Sequence, residues 1–355
     1  MSWIAISDGR HTIRSPDGAM GAAGPLVATG SIVIETTFTA EGNRPQTILE
    51  LSRTAGWVRH FRILVRASGE VFIEHRQDRN TSYALLRPRQ PDRDAMLRLT
   101  YAWDAPRRQG LLTLENLDTG QMDQAVFDDP QPWPVDDIAA LVGCSDSCRL
   151  DPSATLVAVS DRIEPVGLAP GFVAGTPVET ASGLRRVENL VPGDLVETAE
   201  HGLQPVRWVI GHEVPACGRF APIRLRAPFF GLERDLCVAP DHRILIAGAD
   251  AEYLFGADSV LVEARHLAHM AAAPRRRQAE TVRYVQVVLD KHDCLAAAGA
   301  WSESLYLGDI ADHPSRLVTS TLAGIPAARL PRHTQIASPL LKTYEAVVLV
   351  SALCA

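Results

Sequence analysis

The sequence lacks the long apolar runs that mark membrane and secreted proteins. No run approaches the length of about 18 residues that a membrane helix needs, and the longest, Ala346 to Ala355, is far shorter. The first residues, MSWIAISDGRHTIR, hold no basic region followed by an apolar core, so no standard secretory signal is visible. We therefore expect no membrane span, and either a cytoplasmic location or export by a signal-independent route.

Clustered basic charge is also scarce. The 35 Lys and Arg residues are spread along a chain whose net charge is −7, and the one dense run is Arg275-Arg276-Arg277. Proteins that bind nucleic acid concentrate Lys and Arg on one face. The composition therefore argues against a nucleic acid partner and favours a solvated loop for the arginine run.

Cysteines are few and irregularly spaced, and they suggest no metal or disulfide framework. The closest pair, Cys144 and Cys148, forms a C-x3-C without the second pair or the neighbouring His that a zinc site needs. A chain of 355 residues buries an adequate core without disulfides. Scattered thiols are the expectation, with a local disulfide or a metal at this pair left open. No cofactor is predicted.

Helical periodicity is nearly absent from the first 165 residues, where short runs alternate as strands do. Between two of these runs, Ala67-Ser68-Gly69-Glu70 is typical of a hairpin turn. The spacing of about ten residues between runs is typical of an antiparallel sandwich. The runs are GSIVIETTFTA (30–40), TILELS (47–52), HFRILVRASGEVFIEHR (60–76), LRLTYAWD (97–104) and GLLTLENLDTG (110–120).

The order of these runs resembles the concanavalin-like and laminin-G-like jelly rolls. That resemblance implies a jelly-roll-like β-sandwich with a carbohydrate or a protein as its partner, although a fold alone names no ligand. No cluster of Asp and Asn indicates a calcium loop. Trp57, Trp103 and Trp133 are candidates for stacking on a sugar, but packing in the core is the commoner role of a Trp in a sandwich.

A second region, from about residue 166 to 315, is built of short apolar strands separated by Pro and Gly. Val191-Pro192-Gly193-Asp194 is a turn by composition. In the tail, residues 316–355, apolar residues recur at helical spacing and predict a C-terminal helix that docks on one of the domains. They are Leu340, Leu341, Tyr344, Val347 and Val348. The prediction is thus an all-β chain with domains at 1–165 and 166–315, followed by a tail with a short helix.

Six pieces of the second region, in order, resemble the Hedgehog/intein (Hint) domain family, particularly its bacterial group. Together they cover about 140 residues, far more than a lone motif. They are FVAGTPVET, RRVENLVPGDLVET, HGLQPVRWVIG, RDLCVAPDHRILI, YLFGADSVLVEARHL and VRYVQVVLDKHDCLAAAGAWSES.

The resemblance implies self-processing chemistry. In the family, a Cys or Ser at the first residue attacks the carbonyl just before it, which makes the reaction intramolecular. A Thr/Ser-x-x-His motif holds the scissile amide, and its His polarises or protonates the departing nitrogen. A second His or an Asp assists the next step.

Three of these polar positions carry residues that cannot do this chemistry. The position of the nucleophile is Gly171, that of the motif's Ser or Thr is Ala239, and that of a late His is Gln286. The family residues that match are His242, Asp290 and His292. Because Gly removes the covalent path altogether, we expect the ordinary reaction not to run.

Substitutes for the missing groups are poor. Thr176 lies five residues beyond the scissile position, and Cys237 could approach only across a strand. His242 is either a polariser of the 170–171 amide or, as the favoured interpretation, a structural His bonded to a backbone carbonyl. His292 has the same two interpretations, with Asp290 or Asp293 as its expected bond partner.

Three functional hypotheses follow. The leading one is a degenerate Hint protein that works as an intact binding or structural module. The second is a residual self-cleaving protein that cuts before Gly171. The third is a metal-dependent hydrolase that gathers histidines with an Asp, from the set His242, His266, His269, His292, Asp241 and Asp290. The oligomeric state is not determined by the sequence.

Overall fold

The computed structural model describes residues 2–16, 26–39, 45–54, 56–88, 94–143, 145–167, 170–271 and 279–353, with the backbone alone for 269–271. It forms two compact units, Met1–Gly167 with Cys217–Arg219, and Leu168–Ala216 with Phe220–Ala355. The predicted all-β class is confirmed, because strands dominate both units and the helices are short. Cys144 and the arginine run at 275–277 lie outside the described residues, so the structure does not bear on either expectation.

The first unit is a β-sandwich with one short helix. In the described residues, one sheet has the order β11-β10-β9-β4-β14-β1-β2 and the other β13-β5-β6-β7-β8, while β12 pairs with β3. The elements are β1 Trp3–Ser7, β2 Thr12–Arg14, β3 Leu26–Val27, β4 Thr29–Phe38, β5 Gln46–Arg53, β6 Arg59–Val65, β7 Val71–Gln77, β8 Asn80–Leu86, β9 Ala95–Asp104, β10 Gln109–Asn116, β11 Met122–Asp128, β12 Trp133–Pro134, α1 Val135–Val142, β13 Cys148–Leu150 and β14 Leu156–Ser160.

Each of the five predicted runs forms strand, and the 67–70 segment turns between β6 and β7 as expected. Trp103 and Trp133 are 0% and 1% exposed, so they pack in the core, whereas Trp57 is 40% exposed. Two strands that the sequence pattern did not reveal, β1 and β14, are paired inside the larger sheet. All of their residues are buried, so they show no alternation of apolar and polar residues by which to recognise them.

The strands of the second unit pair into one continuous sheet. In the described residues its order is β20-β21-β15-β24-β19-β18-β16-β25-β26-β22-β23, with β17 paired to β16. The elements are β15 Phe172–Val173, β16 Pro177–Thr180, β17 Gly183–Arg186, β18 Leu195–Thr198, β19 Gly202–Pro215, β20 Ile223–Leu225, β21 Leu236–Val238, β22 Arg243–Ala247, α2 Ala249–Phe255, β23 Ser259–Glu263, α3 Ala264–Ala271, β24 Thr281–Leu289, β25 Cys294–Ala297, β26 Ala300–Glu303, α4 Pro314–Leu317 and α5 Thr343–Leu353.

The predicted C-terminal helix is confirmed; it begins at Thr343, after Leu340 and Leu341, and Leu341 is buried with it in the core of the second unit. Helix α5 buries Ala346 and Leu349, whereas Tyr344, Val347 and Val348 are 63%, 55% and 49% exposed. Because α5 is apolar on nearly every side, periodicity could not choose between its faces. In the described part of the chain, no helix has the length and apolar character needed to cross a bilayer.

Candidate functional site

Strand β15 brings three of the predicted site residues to one place. Phe172 pairs with Val238 of β21 on one side and with Val285 of β24 on the other. Gly171 precedes this strand, Ala239 follows β21, and Gln286 follows Val285. The backbone N–H of Ala239 donates to the carbonyl of Gly171 at 2.9 Å, which fastens the start of β15 to the turn after β21.

Gln286 holds the carbonyl that a nucleophile at residue 171 would attack. Its Nε2 donates to the carbonyl oxygen of Pro170 at 2.8 Å. Its Oε1 accepts from the Thr321 hydroxyl at 2.8 Å, which fixes the orientation of the amide. The side chain is 5% exposed. The Pro170–Gly171 peptide is therefore clamped by a neutral donor that has no titratable proton to transfer.

Residue 171 not only lacks a side chain but also leaves little room for one. A Cβ on Gly171 would lie 3.1 Å from the Cβ of Tyr284 and 3.2 Å from the carbonyl oxygen of Val285. Contacts of this length require the neighbours to shift by a few tenths of an ångström. Strand β24 therefore packs so closely against Gly171 that a side chain there would displace its neighbours.

His242 is buried without a hydrogen-bond partner for its ring. It ends the turn after β21, where its backbone N–H donates to Ala239 O at 3.0 Å. The ring is edge-on to Phe172, with 4.4 Å between centroids, and neither ring nitrogen has a partner within the described residues. Burial lowers the pKa of His242 to about 4. The expected bond from this His to a backbone carbonyl was wrong, and the ring is neutral at pH 7.

His292 is held by a backbone N–H, and the acidic group near its other ring nitrogen is a glutamate, beyond hydrogen-bond distance. Its Nδ1 accepts from the Ala337 N–H at 3.0 Å, so the neutral ring carries its proton on Nε2. That Nε2 lies 3.7 Å from Oε2 of Glu303. The expected partnership with Asp290 or Asp293 was wrong. Asp290 is half exposed and lies 3.0 Å from Nε of Arg207.

The Asp293 carboxylate fastens the loop at Glu200 and His201. It accepts hydrogen bonds from the ring and backbone of His201 and from the backbone N–H of Cys294. Burial raises the pKa of this carboxyl, but these hydrogen bonds outweigh burial and leave the pKa below its ordinary value. Asp293 is therefore a structural carboxylate.

A small pocket lies beside the Pro170–Gly171 peptide. Gly171, His242, Gln286, Glu303 and Ser304 contribute to its lining. The Glu303 carboxylate already accepts from the backbone N–H of Arg243 at 3.0 Å and from its guanidinium at 3.2 Å. The pocket thus holds a neutral imidazole and a paired carboxylate, and neither is an activated nucleophile.

The two suggested substitutes for the nucleophile do not line this pocket. The hydroxyl of Thr176 donates to its own turn, at Val173 O, 2.7 Å away. Cys237 is half-buried on β21, paired with Arg224 of β20, and burial raises the pKa of its thiol. A thiol with a raised pKa is a poor nucleophile at neutral pH.

The residues of the metal hypothesis do not converge where the structure describes them. His266 lies 3.4 Å from Glu263, beside Arg265, and the side chain of His269 is outside the described residues. Within the described side chains, no group of three or more His, Cys, Asp and Glu residues is arranged to hold a metal ion.

Three residues of the site were missed by sequence reasoning. Glu303 stands in the last of the six family-like pieces, so a search of those pieces for further carboxylates would have found it. Thr321 and Ala337 lie beyond these pieces and reach the site only through the path of the tail. No spacing or motif marks them.

Comparison with known proteins supports the fold of the second unit. The family model of the Hint domain matches residues 170–309, which confirms the resemblance drawn from the six pieces. No curated protein matches the chain significantly.

Solved structures give weak matches. The CBM40 of the Ruminococcus gnavus IT-sialidase bound to alpha2,6 sialyllactose is 14% identical, over 45% of this chain and 88% of that chain, with a TM-score of 0.30. The leech intramolecular trans-sialidase is 15% identical, over 39% and 22%, at 0.24. The LG1-3 region of the laminin alpha2 chain is 8% identical, over 85% and 55%, at 0.26. Matches at this level carry no argument about ligands.

Proposed function

We propose that the Hint domain that this chain carries at residues 170–309 holds the Pro170–Gly171 peptide bond intact, and that the protein works as an uncleaved binding or structural module. The observation that carries the proposal is the absence of a nucleophile beside the Pro170 carbonyl. Gly171 has no side chain, and a Cβ there would lie 3.1 Å from the Cβ of Tyr284. The hydrogen bond from Gln286 Nε2 fixes the position of the Pro170 carbonyl oxygen.

The chemistry of the centre supports this proposal at each step. An acyl shift needs a nucleophile next to the carbonyl, and Gly171 supplies none. Departure of the amide nitrogen needs a proton donor, whereas His242 is neutral at pH 7 because burial lowers its pKa to about 4. Ala239 supplies a methyl group where the family has a hydroxyl.

The test is the integrity of the chain. Purified full-length protein is analysed by denaturing gel and intact mass, with and without a thiol or hydroxylamine. We expect one species of 355 residues. Fragments of 170 and 185 residues, which together make 355, would overturn the proposal and establish residual self-cleavage.

A variant that restores all three family residues, Gly171→Cys with Ala239→Ser and Gln286→His, serves as the positive control. Cleavage of this variant before residue 171 would identify a disarmed but intact scaffold. It would also fix the positions of the fragments on the gel.

A specific surface favours recognition of carbohydrate by the sandwich. Neighbouring strands pair Arg149 with Glu50, Glu50 with Arg62, Arg62 with Glu74, and Glu74 with Tyr83. Buried residues flank these positions along each of the three middle strands, β5 to β7, so the row faces outward. Guanidinium and carboxylate groups in such a row supply charge-assisted hydrogen bonds to hydroxyl groups.

At one end of this row lies an exposed aromatic platform. Tyr83 is 56% exposed, and its ring stacks on Phe72 with 5.8 Å between centroids. A flat, partly apolar ring beside polar groups suits the alternating CH and OH faces of a sugar.

A glycan array probed with the full chain tests this second proposal. We expect Tyr83→Ala to weaken any glycan bound by wild type about tenfold, which corresponds to about 1.4 kcal/mol. Tyr253→Ala is the matched control, because Tyr253 is 88% exposed in the other unit. Absence of glycan binding, or equal binding by the Tyr83→Ala chain, would contradict the proposal.

A further inference from the structure

The chain continues past the Hint match, and this continuation reaches the candidate site. The Thr321 hydroxyl donates to Oε1 of Gln286 at 2.8 Å. The backbone N–H of Ala337 donates to Nδ1 of His292 at 3.0 Å. Two side chains of the centre therefore have their orientation set by residues outside the family match.

The segment between these two contacts is firmly attached to the second unit. The ring of His333 is 4% exposed, and it accepts from the Leu307 N–H at 3.1 Å and donates to Leu289 O at 3.0 Å. Leu322 and Leu330 are 0% and 6% exposed in an apolar cluster beside β24. The segment is thus fixed by polar and apolar contacts along its length.

We propose that residues 321–337 form an intramolecular strap that sets the orientation of Gln286 and so keeps the Pro170 carbonyl clamped, with Thr321 as the positioning residue. The proposal rests on the proposed function in one respect, namely that Gln286 is taken as the clamp of the Pro170–Gly171 bond. It assigns to the tail a contact that orients a side chain of the centre.

The reason that Thr321 matters is the symmetry of the glutamine amide. Its NH₂ and oxygen ends are nearly equal in size, so packing alone does not choose between the two orientations. The flipped orientation would set Oε1 against the Pro170 carbonyl, where two acceptors repel. Of the two ends of the amide, Pro170 O accepts only from Nε2, and the Thr321 hydroxyl donates to Oε1 at the other end, so the two contacts together hold the amide in one orientation.

The experiment measures the exchange of the Gln286 side-chain amide protons with solvent in ¹⁵N-labelled full-length protein. Thr321→Val keeps the shape and removes the donor, whereas Thr321→Ser keeps the donor. Thr319→Val is the matched control, because the Thr319 hydroxyl bonds to carbonyls of its own turn, at Ser315 and Arg316. The Pro170 carbonyl ¹³C shift is recorded in parallel.

We expect Thr321→Val to raise the exchange rate about fivefold to tenfold, the effect of losing one buried hydrogen bond of ordinary strength. Its Pro170 carbonyl signal should shift, while Thr321→Ser and Thr319→Val stay within about twofold of wild type. An unchanged rate in Thr321→Val, or a Ser variant that behaves like the Val variant, would overturn the strap.

Wild-type protein alone keeps the proposal testable if Thr321→Val does not fold. The strap requires slow exchange of the Gln286 amide in wild type, and unprotected amide protons there would overturn it. The denaturing gel tests the proposed function separately. If the wild-type chain is cleaved but its Gln286 amide is protected from exchange, the proposed function is contradicted and the strap is supported.

Discussion

Replacing His242 by leucine should make the second unit less sensitive to acid. The ring is 2% exposed, and neither of its nitrogens has a partner in the described part of the chain. Leucine has a similar volume and no polar atoms to desolvate. At pH 7.5 we therefore expect the His242→Leu chain to be as stable as wild type within about 1 kcal/mol, or slightly more stable.

The pH dependence gives the larger effect. Burial lowers the pKa of His242 from an ordinary 6.5 to about 4. A base whose pKa is lowered by folding binds its proton more readily in the unfolded chain. Protonation of this histidine therefore leaves the free energy of unfolding unchanged above pH 6.5 and lowers it as the pH falls towards 4. At pH 5 the difference is about 1.5 pKa units, or about 2 kcal/mol. Wild type should lose this amount between pH 7.5 and 5, and the variant should not.

Urea titrations at both pH values, followed through exchange protection of peptides from the second unit, measure the difference between the two chains. Other buried histidines are present in both chains, so their effects on acid sensitivity cancel. One of them is His75 in the sandwich, whose pKa burial lowers to about 3. His313→Leu is the control, because the side chain of His313 is 47% exposed. A variant that is as acid-sensitive as wild type, or less stable by more than about 2 kcal/mol at pH 7.5, would refute the reasoning.

Three further substitutions probe the clamp, the glycine and the tail helix. Gln286→Leu should lower the free energy of unfolding of the second unit by about 1–3 kcal/mol, because the Pro170 carbonyl loses its donor; calorimetry measures this, and an unchanged melting temperature would contradict it. Gly171→Cys alone should leave the chain uncleaved on a denaturing gel and cost about 1–3 kcal/mol through crowding against β24; cleavage or full stability would count against this. Leu349→Ala should cost about 2–5 kcal/mol and Val348→Ala less than about 1 kcal/mol in urea titrations; equal costs would mean that α5 docks differently.

Long strands and strands with a regular alternation of residues could be predicted from the sequence, and short strands buried at every position could not. GSIVIETTFTA and the hairpin around 67–70 alternate or turn in a recognisable way, and they form β4, β6 and β7. WIAIS and LVAVS are buried at every position. Short apolar runs of this kind do not distinguish strand from helix, so only their pairing in the sheet identifies them.

The positions of the candidate site could be named from the sequence, whereas the hydrogen-bond partners of its residues could not. Gly171, Ala239 and Gln286 could be named because the family-like pieces place each at a position with a known role. The bond partners of His292 could not, since Ala337 is far along the chain and donates through its backbone, which leaves no mark in the sequence.

The sequence by itself determined that Gly171, Ala239 and Gln286 carry no nucleophile, hydroxyl or imidazole, because the identity of a residue decides which covalent chemistry is open to it. Only the tertiary structure decided the contacts of the site. The amide of Gln286 clamps Pro170, Thr321 orients that amide, and burial without a partner keeps His242 neutral. Hydrogen bonds between distant residues and the desolvation of a ring depend on three-dimensional packing, which residue identity alone does not specify.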